Sequence, residues 1–215
     1  LGNYEYILFD LDGTLTDSGP GIVNGFAYTV EKMGGQVEDK NQFKRFVGPP
    51  LKESFGVLGY QGEEIDKAIT IYREYYNGMG GCFENEVYPG IEDTLAKLKT
   101  AGKKLIVCTS KNAHGTKTVL EHFGLDKYFD FVATANDTDR QHKIDVLNYA
   151  LEQGGVADLK RAVMVGDRMY DIEASAEVGV DSIGVLYGYG SKKELTNAGA
   201  TYLAETADDI VALIL

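Results

Sequence analysis

The sequence predicts an α/β fold: a parallel sheet covered by helices on both faces, in a three-layer α/β/α arrangement, with a separate helical segment inserted after the first strand. Three observations carry this. Short apolar, β-branched runs recur along the chain and end in polar or glycine-containing turns, as buried strands do. From roughly residue 86 onward these runs alternate with helical patterns, which argues for right-handed crossovers and a parallel sheet. From about Ser18 to Glu84 the alternation stops, because helical patterns follow one another with no strand between them.

Taken in order, Tyr6–Phe9 is the first predicted strand, and ligands in such sheets sit at the carboxyl ends of strands. Predicted helices at Gly21–Met33, Asn41–Phe46, Leu51–Leu58 and Glu63–Tyr76 come next. The expected organisation is a sheet core of residues 1–17 and 85–215 with an α-helical cap domain of residues 18–84. A bundle inserted there would lie over the first strand's carboxyl end and act as a lid. Pro89-Gly90-Ile91 opens the clearest helix, which carries Ile91, Leu95 and Leu98 on one face and stops at Gly102. Strands are then predicted at Leu105–Cys108, Phe131–Ala133, Ala162–Val165 and Ser182–Leu186, with a helix over Lys143–Gln153.

Composition narrows the function classes. The chain has 215 residues, 44% of them hydrophobic and 25% charged, and no long polar or repetitive tract, as expected of a folded globular protein. A net charge of −12 disfavours nucleic-acid polymers and anionic membranes as partners. Cys82 and Cys108 are far apart and lack neighbours at zinc-ligand spacing, so a reducing, cytoplasmic setting is expected. No segment approaches membrane-spanning length.

The strongest local signal is Asp10-Leu11-Asp12-Gly13-Thr14, directly after the first apolar strand. Two carboxylates so close at a strand end repel each other unless positive groups or a cation stand between them. Metal-assisted phosphoryl transfer supplies a reason: one carboxylate attacks phosphorus, its neighbour donates a proton to the leaving oxygen, and Gly13 lets backbone amides approach the phosphate. A second acidic pair, Asp167 and Asp171, follows the strand Ala162–Val165; Asp171 also suits a helix cap, but capping leaves Asp167 unexplained. Oxygen ligands from two such loops suit Mg2+. Thr109-Ser110-Lys111 ends another strand and offers hydroxyl and amide donors to a phosphate. Lys143 stands at a helix start, where a cation opposes the helix dipole unless it serves an anion.

In these residues the chain resembles the haloacid dehalogenase-like superfamily of hydrolases, and within it the phosphoglycolate-phosphatase-like branch with a helical cap after the first motif. Phe9-Asp10-Leu11-Asp12-Gly13-Thr14-Leu15 is similar to the first motif, Thr109 to the second, Lys143 to the third, and Gly166-Asp167 with Asp171 to the fourth. The third departs in one respect, since Lys143-Ile144-Asp145 lacks the proline often found after the lysine.

The resemblance implies a Rossmann-like core with the first and fourth motif strands adjacent, and a Mg2+-dependent phosphatase acting on a small phosphomonoester. It makes Asp10 the nucleophile and a metal ligand, and Asp12 the general acid and base, binding metal through its backbone carbonyl. Asp167 and Asp171 complete the metal site, Asp171 directly or through water, while Thr109, Ser110, Gly13 and Lys143 hold the phosphoryl group. Arg45, in a tract similar to the specificity loop of such caps, is a candidate for a second anionic group of the substrate. Phosphoglycolate and nucleoside 5′-monophosphates are rival substrates, with Tyr187 or Tyr189 available to stack on a base. A sugar phosphomutase of the β-phosphoglucomutase kind and a non-catalytic phospho-aspartate switch are the other readings, and a monomer or homodimer is expected.

Overall fold

The computed structural model describes residues 3–215. They form two compact units, one made of the residues up to Thr16 together with Val87–Leu215, the other of Asp17–Glu86.

The Asp17–Glu86 unit is helical: α1 (Gly19–Lys32), a 3-10 helix (Lys40–Phe46), α2 (Leu51–Val57), α3 (Glu63–Arg73) and a π turn (Glu74–Gly78). The segment predicted as a helix over Asn41–Phe46 is a 3-10 helix over Lys40–Phe46, whose three-residue turn puts its two buried aromatics, Phe43 and Phe46, on one side. Phe26 of α1 is fully buried, with its ring 4.9 Å from Phe46, 4.9 Å from Phe55 and 5.2 Å from Tyr72.

The other unit is built on six strands, β1 (Tyr6–Phe9), β4 (Lys104–Asn112), β5 (Phe131–Ala135), β6 (Ala162–Gly166), β7 (Asp181–Val185) and β8 (Tyr202–Ala204). Their order is β5-β4-β1-β6-β7-β8 and every pairing is parallel. Two short strands, β2 (Thr16–Asp17) and β3 (Glu86–Val87), make a separate two-stranded sheet.

Side-chain alternation along β1 feeds two cores. Ile7 and Phe9 join Ile91, Leu95 and Leu98 of α4 (Ile91–Thr100), Val119 of α5 (Ala113–His122) and Ile210 of α9 (Ala207–Ile214). Leu8 joins Val146, Leu147 and Ala150 of α6 (Lys143–Gln153) and Ala174 of α7 (Met169–Val178) on the other face. Burial on both faces is why the strands read as continuous apolar runs. The chain runs from β1 outward through β4 and β5, then returns to β6 on the opposite side. A sheet of this order opens a crevice at the carboxyl ends of the strands flanking the reversal.

Candidate active site

Asp10 leaves β1 still in register, its amide donating to the Val165 carbonyl at 2.9 Å. The chain then folds back: the Leu15 and Thr16 amides donate to the Leu11 carbonyl at 2.9 and 3.1 Å, and the Gly13 amide donates to the Thr16 carbonyl at 2.8 Å. The amide of Gly13 itself is thus committed to the turn. What the glycine supplies is space: its φ is +85°, and a Cβ there would stand 2.3 Å from Asp167 Oδ2.

Because Phe9 pairs with Val165, Asp10 and Asp167 emerge from adjacent strands. Asp167 Oδ2 accepts the Tyr189 amide at 2.7 Å, and the Thr14 hydroxyl lies 3.4 Å from Oδ1. Asp171 lies in the first turn of α7 and is held from two sides. Its Oδ2 accepts the Arg168 amide at 3.2 Å, closing the helix start, while Oδ1 meets Lys143 Nζ at 2.8 Å. Carboxylate oxygens of Asp10, Asp167 and Asp171 lie within 4.8 Å of one another.

Lys143 opens α6 and is buried, with Nζ 2.9 Å from Asp10 Oδ1 and donating to the Cys108 carbonyl at 3.0 Å. Those anions offset its unfavourable position against the helix dipole. Thr109 is buried at the end of the regular part of β4, and its hydroxyl accepts the Lys111 amide at 3.2 Å, leaving the hydroxyl hydrogen for another acceptor. Ser110 is half-buried beside it. Lys111, in the Thr109-Ser110-Lys111 turn that the sequence marks as a source of phosphate donors, has its Nζ 2.9 Å from Asp12 Oδ2 instead. Arg45 belongs to the Asp17–Glu86 unit, where it is exposed and lies over the Phe46 ring, 4.8 Å from its centroid.

Electrostatics follow from burial. Burial pushes the Asp10 carboxyl up to about 7, with Lys143 opposing and Asp171 and Asp12 adding to the rise. Asp167 is held well above the usual carboxylate range by burial first and then by Asp10 and Asp171. Burial works against charge on Lys143, but Asp10 and Asp171 outweigh it and raise its ammonium above the ordinary lysine value. With Asp10, Asp12, Asp167 and Asp171 all ionised, the ammonium groups of Lys111 and Lys143 would balance only two of four negative charges, and a divalent cation would balance the rest. An all-oxygen set of this kind fits a hard ion.

The segment after β7, in which the sequence suggests only stacking tyrosines, packs against the acidic loops. Tyr187 donates its hydroxyl to the Thr14 carbonyl at 3.0 Å, joining the first acidic loop. A Cβ on Gly188 would stand 2.3 Å from both Asp167 Cβ and the Gly13 carbonyl oxygen, and one on Gly190 would stand 2.0 Å from the Asp167 carbonyl oxygen. Glu194, in α8 (Lys192–Asn197), accepts Arg168 Nε at 2.8 Å and the Met169 amide at 3.0 Å. Asp167 and its loop are therefore gripped by backbone on one side and by Glu194 on the other.

Acidic loops from adjacent parallel strands, a buried lysine between them and a threonine at a third strand end together make the candidate site of an α/β enzyme. The chain belongs to the haloacid dehalogenase-like hydrolase family, whose sequence profile matches residues 7–185. It is similar to the solved structure of a predicted phosphatase from Clostridium acetobutylicum, with a TM-score of 0.94 and 44% identity over 98% of both chains. Among curated relatives, it is 38% identical to the tyrosine-protein kinase PtkA of Mycobacterium tuberculosis, over 94% of this chain and 69% of that one. It is 36% identical to a 5′-nucleotidase of Pseudomonas aeruginosa, over 89% of this chain and 87% of that one. Among the described residues, no helix is long and apolar enough to cross a membrane.

Proposed function

We propose that this chain is a Mg2+-dependent phosphatase that hydrolyses a small phosphomonoester in the cytoplasm through a phosphorylated Asp10. One observation carries the reading: carboxylate oxygens of Asp10, Asp167 and Asp171 converge, Lys143 bridges Asp10 and Asp171, and Asp12 is paired with Lys111 from the end of β4. The class, a phosphoric monoester hydrolase of the haloacid dehalogenase-like family, agrees with the similarity to phosphatase structures and to a 5′-nucleotidase.

Asp10, Asp167 and Asp171 would hold Mg2+, with the Asp12 backbone carbonyl as a further oxygen; when bound, the ion screens the approach of two anions and draws charge off the phosphoryl oxygens. Lys143 and the Thr109 hydroxyl orient the phosphoryl group. An Asp10 carboxylate oxygen attacks phosphorus, the bond from phosphorus to the ester oxygen breaks, and Asp12 passes a proton to the departing alkoxide. Asp12 then takes a proton from water, which attacks the same phosphorus, releasing inorganic phosphate and restoring Asp10. Lys143 stays charged throughout and offsets the negative charge that builds on the equatorial oxygens.

Phosphoglycolate-like and nucleoside-monophosphate substrates are compared directly by phosphate release from a panel of phosphoglycolate, nucleoside monophosphates, sugar phosphates and pyrophosphate, with Mg2+ or with chelator. Expected is metal-dependent release that falls at least about 10³-fold in Asp10→Asn. Isomerisation of a sugar phosphate without net release would turn the reading to a mutase. Transfer from ATP to protein tyrosine, the activity in the name of the mycobacterial relative, would turn it to a kinase.

A further inference from the structure

Asp10 and Asp12 each face a lysine, but the two pairs differ. Lys143 is shared between Asp10, Asp171 and the Cys108 carbonyl. Lys111 pairs with Asp12, and both side chains of that pair are only 11% exposed.

The backbone fixes Lys111 in an unusual way. Pairing of β4 with β5 is regular through Thr109 and shifts register before Asn112, so Ser110 and Lys111 occupy an irregularity of the strand. Such irregularities re-aim side chains at sheet ends beside active sites. On one side the Lys111 amide is held by the Thr109 hydroxyl; on the other, Asn112 caps α5 by accepting the Gly115 amide at 2.8 Å. The lysine is thus presented from an anchored loop.

Asp12 is buried, and the ion pair uses one of its carboxylate oxygens. Oδ2 takes Lys111, while Oδ1 is buried with no hydrogen-bond partner among the described residues. A buried carboxylate oxygen left without a partner is costly, and native structures retain such atoms where a ligand or reacting group completes them. The ammonium on Oδ2 fixes rotation of the carboxylate and leaves Oδ1 to exchange a proton.

We propose that Lys111 is a positioning residue for the acid–base step: it grips Asp12 Oδ2 so that Oδ1 faces the leaving-group oxygen. The inference rests on the phosphatase reading above, in which Asp12 protonates the alkoxide. Proton donation matters most when the leaving group is a poor one, which separates this role from simple binding of phosphate or from structural support.

The test is kcat/KM for a series running from p-nitrophenyl phosphate through phenyl phosphate to alkyl phosphates, for the wild type, Lys111→Met, Lys111→Arg and Asp12→Asn. Melting temperatures are measured alongside. Expected for Lys111→Met is a loss of at least roughly 10-fold more on alkyl phosphates than on p-nitrophenyl phosphate, the same trend as Asp12→Asn, with partial recovery in Lys111→Arg. An equal loss across the series overturns the proposal and assigns Lys111 to phosphate binding or structure. No loss on any substrate overturns it too. Wild-type turnover abolished in Asp10→Asn establishes the phosphatase reading independently; if the wild type turns over nothing, both readings fall together.

Discussion

The sheet unit and the Asp17–Glu86 unit bury different kinds of side chain. Among the described residues, all the buried charge lies in the sheet unit, as Asp10, Asp12, Lys143, Asp167 and Asp171. The buried polar residues of the other unit, Ser18, Thr29, Ser54 and Asn85, are uncharged, and its centre is a group of aromatic rings around Phe26. Buried like charges oppose folding and enable chemistry, whereas buried rings stabilise. Removing a ring from the one and a carboxylate from the other should therefore move stability in opposite directions.

The largest expected effect comes from the aromatic side. Phe26→Ala removes a fully buried ring that touches at least three others and should cost about 3–5 kcal/mol, read by denaturant unfolding. Magnesium affinity of the folded protein, read by calorimetric titration, should stay within about threefold, because every proposed ligand belongs to the other unit. A large loss of metal affinity would break the contrast.

A middle-sized effect is expected where backbone supports charge. Gly188→Ala forces a methyl group into Asp167 Cβ and the Gly13 carbonyl oxygen, so either the loop or the carboxylate must move. The expected cost is about 1–3 kcal/mol in stability. Magnesium affinity should weaken by about tenfold, the usual consequence of disturbing a group that orients a ligand. Weakened stability with unchanged affinity would show that the segment after β7 only fills space.

What was legible in the sequence follows the same division. Asp10, Asp12 and Asp167 could be read because carboxylates interrupting an apolar strand end have few structural explanations. The sheet could be read because strands buried on both faces carry no polar alternation. Gly188 and Gly190 could not, because a glycine in sequence signals a turn, and their closeness to Asp167 exists only once β6 and β7 are paired. The pairing of Lys111 with Asp12 could not be read either, because the lysine's aim depends on a register shift that no residue type announces. The three-residue strand β8 was too short to stand out as an apolar run.

An effect no larger than that of Gly188→Ala sharpens the comparison most, because it predicts a gain from removing the proposed nucleophile. Burial raises the Asp10 carboxyl from its ordinary 3.8 to about 7 in the folded protein. Between those values the unfolded chain has released the proton and the folded one still holds it. Unfolding then releases a proton, so the contribution to stability falls as pH rises from about 4 to about 7 and stays low above that. Asp10→Asn carries no such proton. Without metal, its melting temperature should fall less than that of the wild type between about pH 5 and pH 8, and near pH 8 it should be the more stable protein by about 1–3 kcal/mol. The slope should not vanish, since Asp167 is raised by burial in the same sense. Added Mg2+ should raise the wild type's melting temperature at pH 8 more than the variant's, because the ion supplies a compensating charge that the neutral amide does not require. Equal melting curves for the two proteins at every pH would mean that the buried carboxylate costs the fold nothing, and the contrast between the units would lose its electrostatic half.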